Sequence, residues 1–256
     1  MKITSFTREQ IRDGLDRAKE RRNEQESPVR ILFSPQEITD RNFDEVCDTY
    51  SRVGHDDFDT VVVIESLPGS ADKKLPIPSF KSITTPLGEV MANDRLRNDF
   101  CDEDDDFFIE DAAYDDQNSL HSQLMLLQCA LDDFTVLSLQ ITDEGSFTVK
   151  ELAYAVEEIL ASKNALIVIC CDMDHTRTEE LNRVLNTMES ESLSGLMNYL
   201  NSGESNVKGL GSFIAGLIIA KKWGLKLQFD HLINENSTHK NLLTGYGEMQ
   251  HQPIFG

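Results

Sequence analysis

No stretch of this sequence approaches the ~20 consecutive apolar residues that a membrane-crossing helix requires. The longest apolar run, 213–220, is short and contains Gly216. The chain opens on Lys2 and turns charged by Arg8 and Glu9, a beginning that predicts no secretory signal. Positive charge is scarce as well: 24 Lys and Arg against 45 Asp and Glu give a net charge of −21. So large an excess repels phosphate backbones and anionic headgroups over a Debye length of about 8 Å. Nucleic acid and membrane are therefore not expected partners. Cysteine is sparse and odd in number, at Cys47, Cys101, Cys129, Cys170 and Cys171. That argues against a disulfide framework and for a reducing, cytoplasmic setting. Internal repeats and low-complexity linkers are missing too.

What is present fits one hydrophobic core. A chain of 256 residues with 39% apolar content sits near the upper size for a single core. The expected organisation is an N-terminal surface helix within 1–27, followed by one α/β domain over 28–256. Thr7 and Gln10 form a capping-box pattern ahead of a polar helix over 8–25, whose Ile11, Leu15 and Ala18 make one apolar stripe. This helix is expected to lie loosely on the domain and to end before Pro28. Residues 60–64, Thr-Val-Val-Val-Ile, form a continuous β-branched run, and 134–141 and 165–171 repeat the signature. Strands buried on both faces look like this, not alternating. Residues 29–33 and 80–84 give further short strands. Helices are expected at 40–53, 119–131, 149–162, 178–200 and 211–223, and a late strand at 225–232. Strand, helix, strand over 134–171 is a crossover length that implies parallel strands. The predicted fold is a mostly parallel sheet flanked by helices.

The stretch 102–116 carries nine acidic residues and no basic one. Asp102, Asp104 and Asp106 alternate like the start of a calcium loop, but Phe107 and Ala113 stand where that loop needs glycine and glutamate. A solvated acidic loop is the expectation.

Five segments, in order, resemble the Memo family, whose bacterial members are often called AmmeMemoRadiSam system protein B. They are Thr85-Pro86-Leu87-Gly88-Glu89-Val90, Asn118-Ser119-Leu120-His121-Ser122-Gln123, Ile169-Cys170-Cys171-Asp172-Met173-Asp174-His175, Lys208-Gly209-Leu210-Gly211 and Gly245-Tyr246-Gly247. The resemblance implies a fold like that of the class III extradiol dioxygenases, which bind non-haem iron. It also implies three metal ligands, and each departs here. The family's His-Ala-Gly-Tyr turn reads Phe33-Ser34-Pro35-Gln36. Its Gly-Pro-x-His-His turn falls on Glu65-Ser66-Leu67-Pro68-Gly69-Ser70. Its Cys-Gly cysteine is Lys208, and the histidine heading the central motif is Asn118. Asp172 and His175 remain of the pocket set.

A catalytic iron or zinc centre normally takes three protein ligands, and a charged ammonium cannot be one. The expected function is therefore that of a degenerate Memo-like protein, without metal or cofactor, that binds a protein partner or a small ligand. The candidate pocket residues are His175, Asp172 and Lys208. In the alternative, an enzyme reuses this pocket, with His175 as acid–base group, Asp172 orienting it and Lys208 anchoring an anion or carbonyl. A metal-dependent oxidoreductase would need iron or zinc and Glu65 as a substitute ligand. Against these stand blander readings. Asp172 or Asp174 would cap a helix starting near Thr176. Lys208, Gly209 and Gly211 would form a tight packing turn instead of a phosphate-binding one. Cys170 and Cys171, on opposite strand faces, would be small core residues. His121, one turn inside a helix, has no obvious partner, and His55, His231, His239 and His251 show no ligand spacing.

Overall fold

Continuous β-branched runs make the centre of the sheet. They become β1 (Val29–Ser34), β2 (Thr60–Ser66), β7 (Thr135–Ile141) and β8 (Ala165–Cys170), and every residue of β2 and β8 is buried. The remaining strands are β3 (Leu75–Ile77), β4 (Ser82–Thr85), β5 (Gly88–Ala92), β6 (Phe107–Ile109), β9 (Asp172–Met173), β10 (Val207–Lys208), β11 (Leu225–Gln228) and β12 (Gly245–Met249). The helices are α1 (Arg8–Arg21), α2 (Phe43–Tyr50), α3 (Asp94–Glu103), α4 (Leu120–Ala130), α5 (Ser146–Leu160), α6 (Thr178–Glu189), α7 (Leu193–Asn201) and α8 (Leu210–Lys222). These come from a computed structural model, which describes residues 1–22, 28–54, 57–103, 105–114, 119–173, 178–190, 193–229 and 243–249.

Eight strands form one sheet in the order β11-β12-β1-β8-β2-β7-β5-β4. The five from β1 to β5 in that order run parallel, and antiparallel strands close both edges. The fold is α/β, with a mostly parallel central sheet between helical layers. One apolar layer gathers residues of α1, α2 and α4 on Leu32, Val61, Val63, Val168 and Cys170. The other gathers α3, α5, α6, α7 and α8 on Phe33, Ile64, Leu139 and Ile169. Cys170 and Cys171 are fully buried in different layers, as strand alternation requires. No helix of the described residues is long and apolar enough to cross a membrane.

Several expectations are corrected. The capping box of Thr7 and Gln10 forms, yet Ile11, Leu15 and Ala18 are buried in the core, so α1 is seated firmly and not loosely. The crossover from β7 through α5 to β8 does give parallel strands, but β2 lies between them. The helix expected over 178–200 is two helices, α6 and α7. The strand expected over 225–232 is β11, which ends at Gln228, and 230–232 fall outside the described residues. The acidic stretch contains β6, which pairs in parallel with β3, and Asp111 accepts hydrogen bonds from the Ser79 amide and hydroxyl. β-elements of three residues are too short to show the periodicity that betrays longer strands.

Helix α8 is buried over Leu210 to Ala220 and crosses the sheet at Gly216. A Cβ there would lie 2.8 Å from Ile169 Cγ1 and 3.0 Å from Phe33 Cε1. Gly216→Ala gains about 1 kcal/mol of helix propensity, but overpacking a closed core costs about 1–3 kcal/mol. Neither neighbour is a free side-chain end, because Phe33 is wedged between Phe213 and Phe229. The substitution is expected to lower the urea midpoint, and an unchanged or raised midpoint would show that the interface yields.

Candidate functional site

The parallel register aligns four polar positions at the C-terminal ends of the central strands. Ser34 pairs with Cys170, Cys170 with Glu65, and Glu65 with Gln140. Side chains paired across parallel strands share a face, so this row points to the α4 side, where Cys170 packs. Ligands gather at this end of open α/β sheets.

Glu65 is 2% exposed. Helix α4 begins directly over it, and the Ser119 amide donates to both carboxylate oxygens, at 2.9 and 3.2 Å. The positive end of a helix favours a carboxylate there. Burial nevertheless dominates and raises the Glu65 carboxyl to about 7, against the lowering pull of Ser119 and Lys208, while Asp172 adds to the rise.

Asp172 follows β8, in β9, and is 7% exposed. Lys208 lies opposite it on the antiparallel partner β10, so both side chains leave the same face of this short ribbon. Burial raises the Asp172 carboxyl to about 7. The Lys208 charge and the Gln36 backbone N–H work against that rise, and Glu37 works with it. Lys208 is itself exposed. Asp172 therefore belongs to a two-stranded ribbon.

The turn into α8 is shaped by Gly209, whose φ of 73° is left-handed. A Cβ on Gly209 would also come within 3.0 Å of the Cys170 carbonyl, to which Ser212 Oγ donates at 2.7 Å. The anion position at the start of α8 is already filled from within. Glu144 accepts from the Gly211 amide at 2.7 Å and from the Ser66 hydroxyl at 2.6 Å. Next to it, Gln36 Nε2 donates to the Ser66 carbonyl at 3.3 Å.

Glu65, Asp172 and Lys208 thus converge, within reach of one another's charge. His175, Asp174 and Asn118 lie outside the described residues, as do His55, His231, His239 and His251. His121 is exposed in the first turn of α4. Gln36, Gln140, Ser119 and Glu144 belong to the same end of the sheet and were not singled out from sequence. Gln140 alone carried a signal, as a long polar side chain inside an otherwise buried strand. Among the described residues, no three His, Cys, Asp or Glu side chains form a group that could hold a metal ion.

These segments are the ones in which the sequence resembles a known family, and comparison with known proteins decides the matter. A family model described as Memo-like protein matches residues 8–246. The chain belongs to the Memo-like family. It is also similar to a MEMO1 family protein of Sulfurisphaera tokodaii, 24% identical over 151 residues, which are 56% of this chain and 53% of that protein. The chain thus spans about half the length of the curated relative it matches. In this Memo-like chain, the turns after β1 and β2, the ribbon after β8 and the start of α8 all meet at one end of the sheet.

Two buried carboxyls raised to about 7 make stability depend on pH. Their folded values lie above the unfolded ones, so the native state holds extra protons between the ordinary carboxyl range and about 7. Their contribution is fully present at the acidic end of that window and is lost as pH rises through it. Urea titrations between about pH 5 and pH 8 are expected to show stability falling more steeply in the wild type than in a Glu65→Gln/Asp172→Asn variant. Parallel profiles would mean that neither carboxyl is shifted.

Proposed function

We propose that this Memo-like chain is a binding protein and not a catalyst, and that the ammonium of Lys208 stands where the family's metal chemistry resides. The observation that carries this reading is that Lys208 acts as the local cation for two buried carboxyls, lowering the pKa of both. In an iron or zinc centre the metal supplies that charge and needs about three N, O or S donors with an open position. Here the described donors at this end of the sheet are the carboxyls of Glu65, Asp172 and Glu144 and the fully buried Cys170 thiol; Glu65 is committed to the Ser119 amide and Glu144 to Gly211 and Ser66. The turn after β1 offers Ser34, Pro35 and Gln36, whose side chains are not metal ligands of choice. These residues do not fit an iron or zinc ion, and no step is derived through one. The partner is a protein or a small ligand reached from the C-terminal end of the sheet. The acidic surface makes nucleic acid and anionic membrane poor partners.

A second reading has its own observation. A carboxyl near 7 is well matched to proton transfer at neutral pH, and both Glu65 and Asp172 sit there. In that reading Asp172 and His175 would handle the proton and Lys208 would anchor a carbonyl or anion.

Elemental analysis of the full chain, purified from cells supplied with iron, copper and zinc, tests the first reading. Substoichiometric metal is expected, and one tightly held ion per chain would overturn it. Lys208→Met gives an independent check on the cation's role. Without the ammonium both carboxyls are expected to hold their protons to higher pH, so the stability loss described above shifts upward. An unmoved pH profile would show that Lys208 does not serve this pair.

A further inference from the structure

Helices α6 and α7 and the loop 202–206 border a surface cavity of about 200 Å³. Its floor is apolar, made by Val184 of α6 and Leu196 of α7, which are 2% and 1% exposed, with Tyr199 beside them. One network holds the walls together. The carboxylate of the buried Glu180 accepts hydrogen bonds from the Tyr199 hydroxyl and, at 3.0 Å each, from the backbone and side-chain amides of Asn206. Glu180 thereby ties α6 to α7 and to the loop, so the cavity is formed before anything enters it. The lining hydroxyls are also used within the protein. Thr187 Oγ1 donates to the Arg183 carbonyl and Ser202 Oγ to the Tyr199 carbonyl, both at 2.8 Å. Two lining charges are not used in this way. Arg183 and Glu204 are exposed, and neither side chain makes a hydrogen bond or ion pair with any described residue, each other included. Charged side chains are ordinarily exposed and solvated one by one. Here opposite charges share the walls of one hollow with an apolar floor.

We infer that this cavity binds a small zwitterion with an apolar body, an α-amino acid such as leucine, methionine or phenylalanine, with its carboxylate on Arg183 and its ammonium on Glu204. A guanidinium matches a carboxylate bidentately, and a carboxylate accepts from an ammonium. The apolar side chain lies on Val184 and Leu196. A plain anion would meet the Glu204 carboxylate, and a plain cation the Arg183 guanidinium. A neutral apolar molecule would shield both charges from water and pair neither. Size narrows the class further. Pockets for drug-sized ligands begin at about 300 Å³, and this smaller cavity suits a single amino acid. The site shares no residue with the Lys208 pocket. It therefore goes beyond the binding reading proposed for that pocket, and metal content at the sheet end does not bear on it.

The test titrates the full chain with L-leucine, L-methionine and L-phenylalanine by calorimetry and ligand-observed NMR. For each, the analogues without the ammonium and without the carboxylate run in parallel (for leucine, isocaproate and isoamylamine), together with glycine, which has no apolar body. Saturable binding of at least one of the three amino acids is expected. Its analogues and glycine are expected to bind more weakly by about tenfold or more, the scale of one charge-assisted contact. Arg183→Gln and Glu204→Gln each remove one lining charge and touch no core residue. Each is expected to weaken the amino acid by about the same factor at an unchanged melting temperature. In Arg183→Gln the amino acid loses its advantage over the amine, and in Glu204→Gln its advantage over the acid. A structural role for either residue would not produce that split. The inference fails if no amino acid saturates, if an analogue or glycine binds the wild type as tightly, or if either substitution leaves affinity unchanged.

Discussion

A carboxyl fixed at the C-terminal end of the innermost strand is the constraint around which this end of the fold is arranged. Strand β2 is flanked on both sides by parallel partners and buried along its whole length, so Glu65 cannot swing into water. An ionised carboxylate left unpaired in such a place costs several kcal/mol. The fold answers it twice, with the first amide of α4 and with the charge of Lys208, and neither answer fully offsets burial. The positions of both supports follow. Helix α4 must begin above β2, and its Gln123 fastens that start to the turn after β1 through the Pro35 carbonyl and to α2 through Tyr50. The ribbon of β9 and β10 must bring Lys208 back over the strand ends, and Gly209, in a backbone conformation that side chains disfavour, makes the turn possible.

Helix α8 meets the same end of the sheet with the same device. Its first turn takes the carboxylate of Glu144, as the first turn of α4 takes that of Glu65. Two helix starts that would otherwise attract an external anion are thereby satisfied from within the chain. The chain carries a net charge of −21, so these two internal carboxylates add to an already acidic molecule.

Much of this was legible in the sequence because burial on both faces of a strand leaves an unmistakable run of β-branched residues. Thr60 to Ile64 and the Ala165 to Cys170 run announced themselves, and so did the capping box at Thr7 and the opposed faces of Cys170 and Cys171. Asp172 and Lys208 emerged from the order of motifs, and the structure places them opposite each other. The failures have one physical origin. Strands β3, β6, β9 and β10 are two or three residues long, too short for any periodicity, and they exist because tertiary neighbours pair with them. The strand order was illegible for a related reason, since nothing local to β7, α5 and β8 says that β2 will sit between the two strands. Gln36 and Glu144 were invisible because their roles depend on distant backbone groups, the Ser66 carbonyl and the Gly211 amide.

A pocket that has merely decayed and a pocket that has been rebuilt differ in what they do with polar groups. Decay by drift replaces unsatisfied buried groups readily, because an apolar substitute of similar shape removes a desolvation cost of about 1–3 kcal/mol per group, and gains of that size are easily reached by single substitutions. At this sheet end the opposite is found. The row keeps a long amide, hydroxyls and a carboxyl in fully buried positions, several of them without a hydrogen-bond partner. Holding such groups costs stability in the empty protein, and sites that must recognise a polar ligand accept that cost as part of their specificity. The turns where the family resemblance expects histidines carry none here, and Lys208 stands at the place of its cysteine.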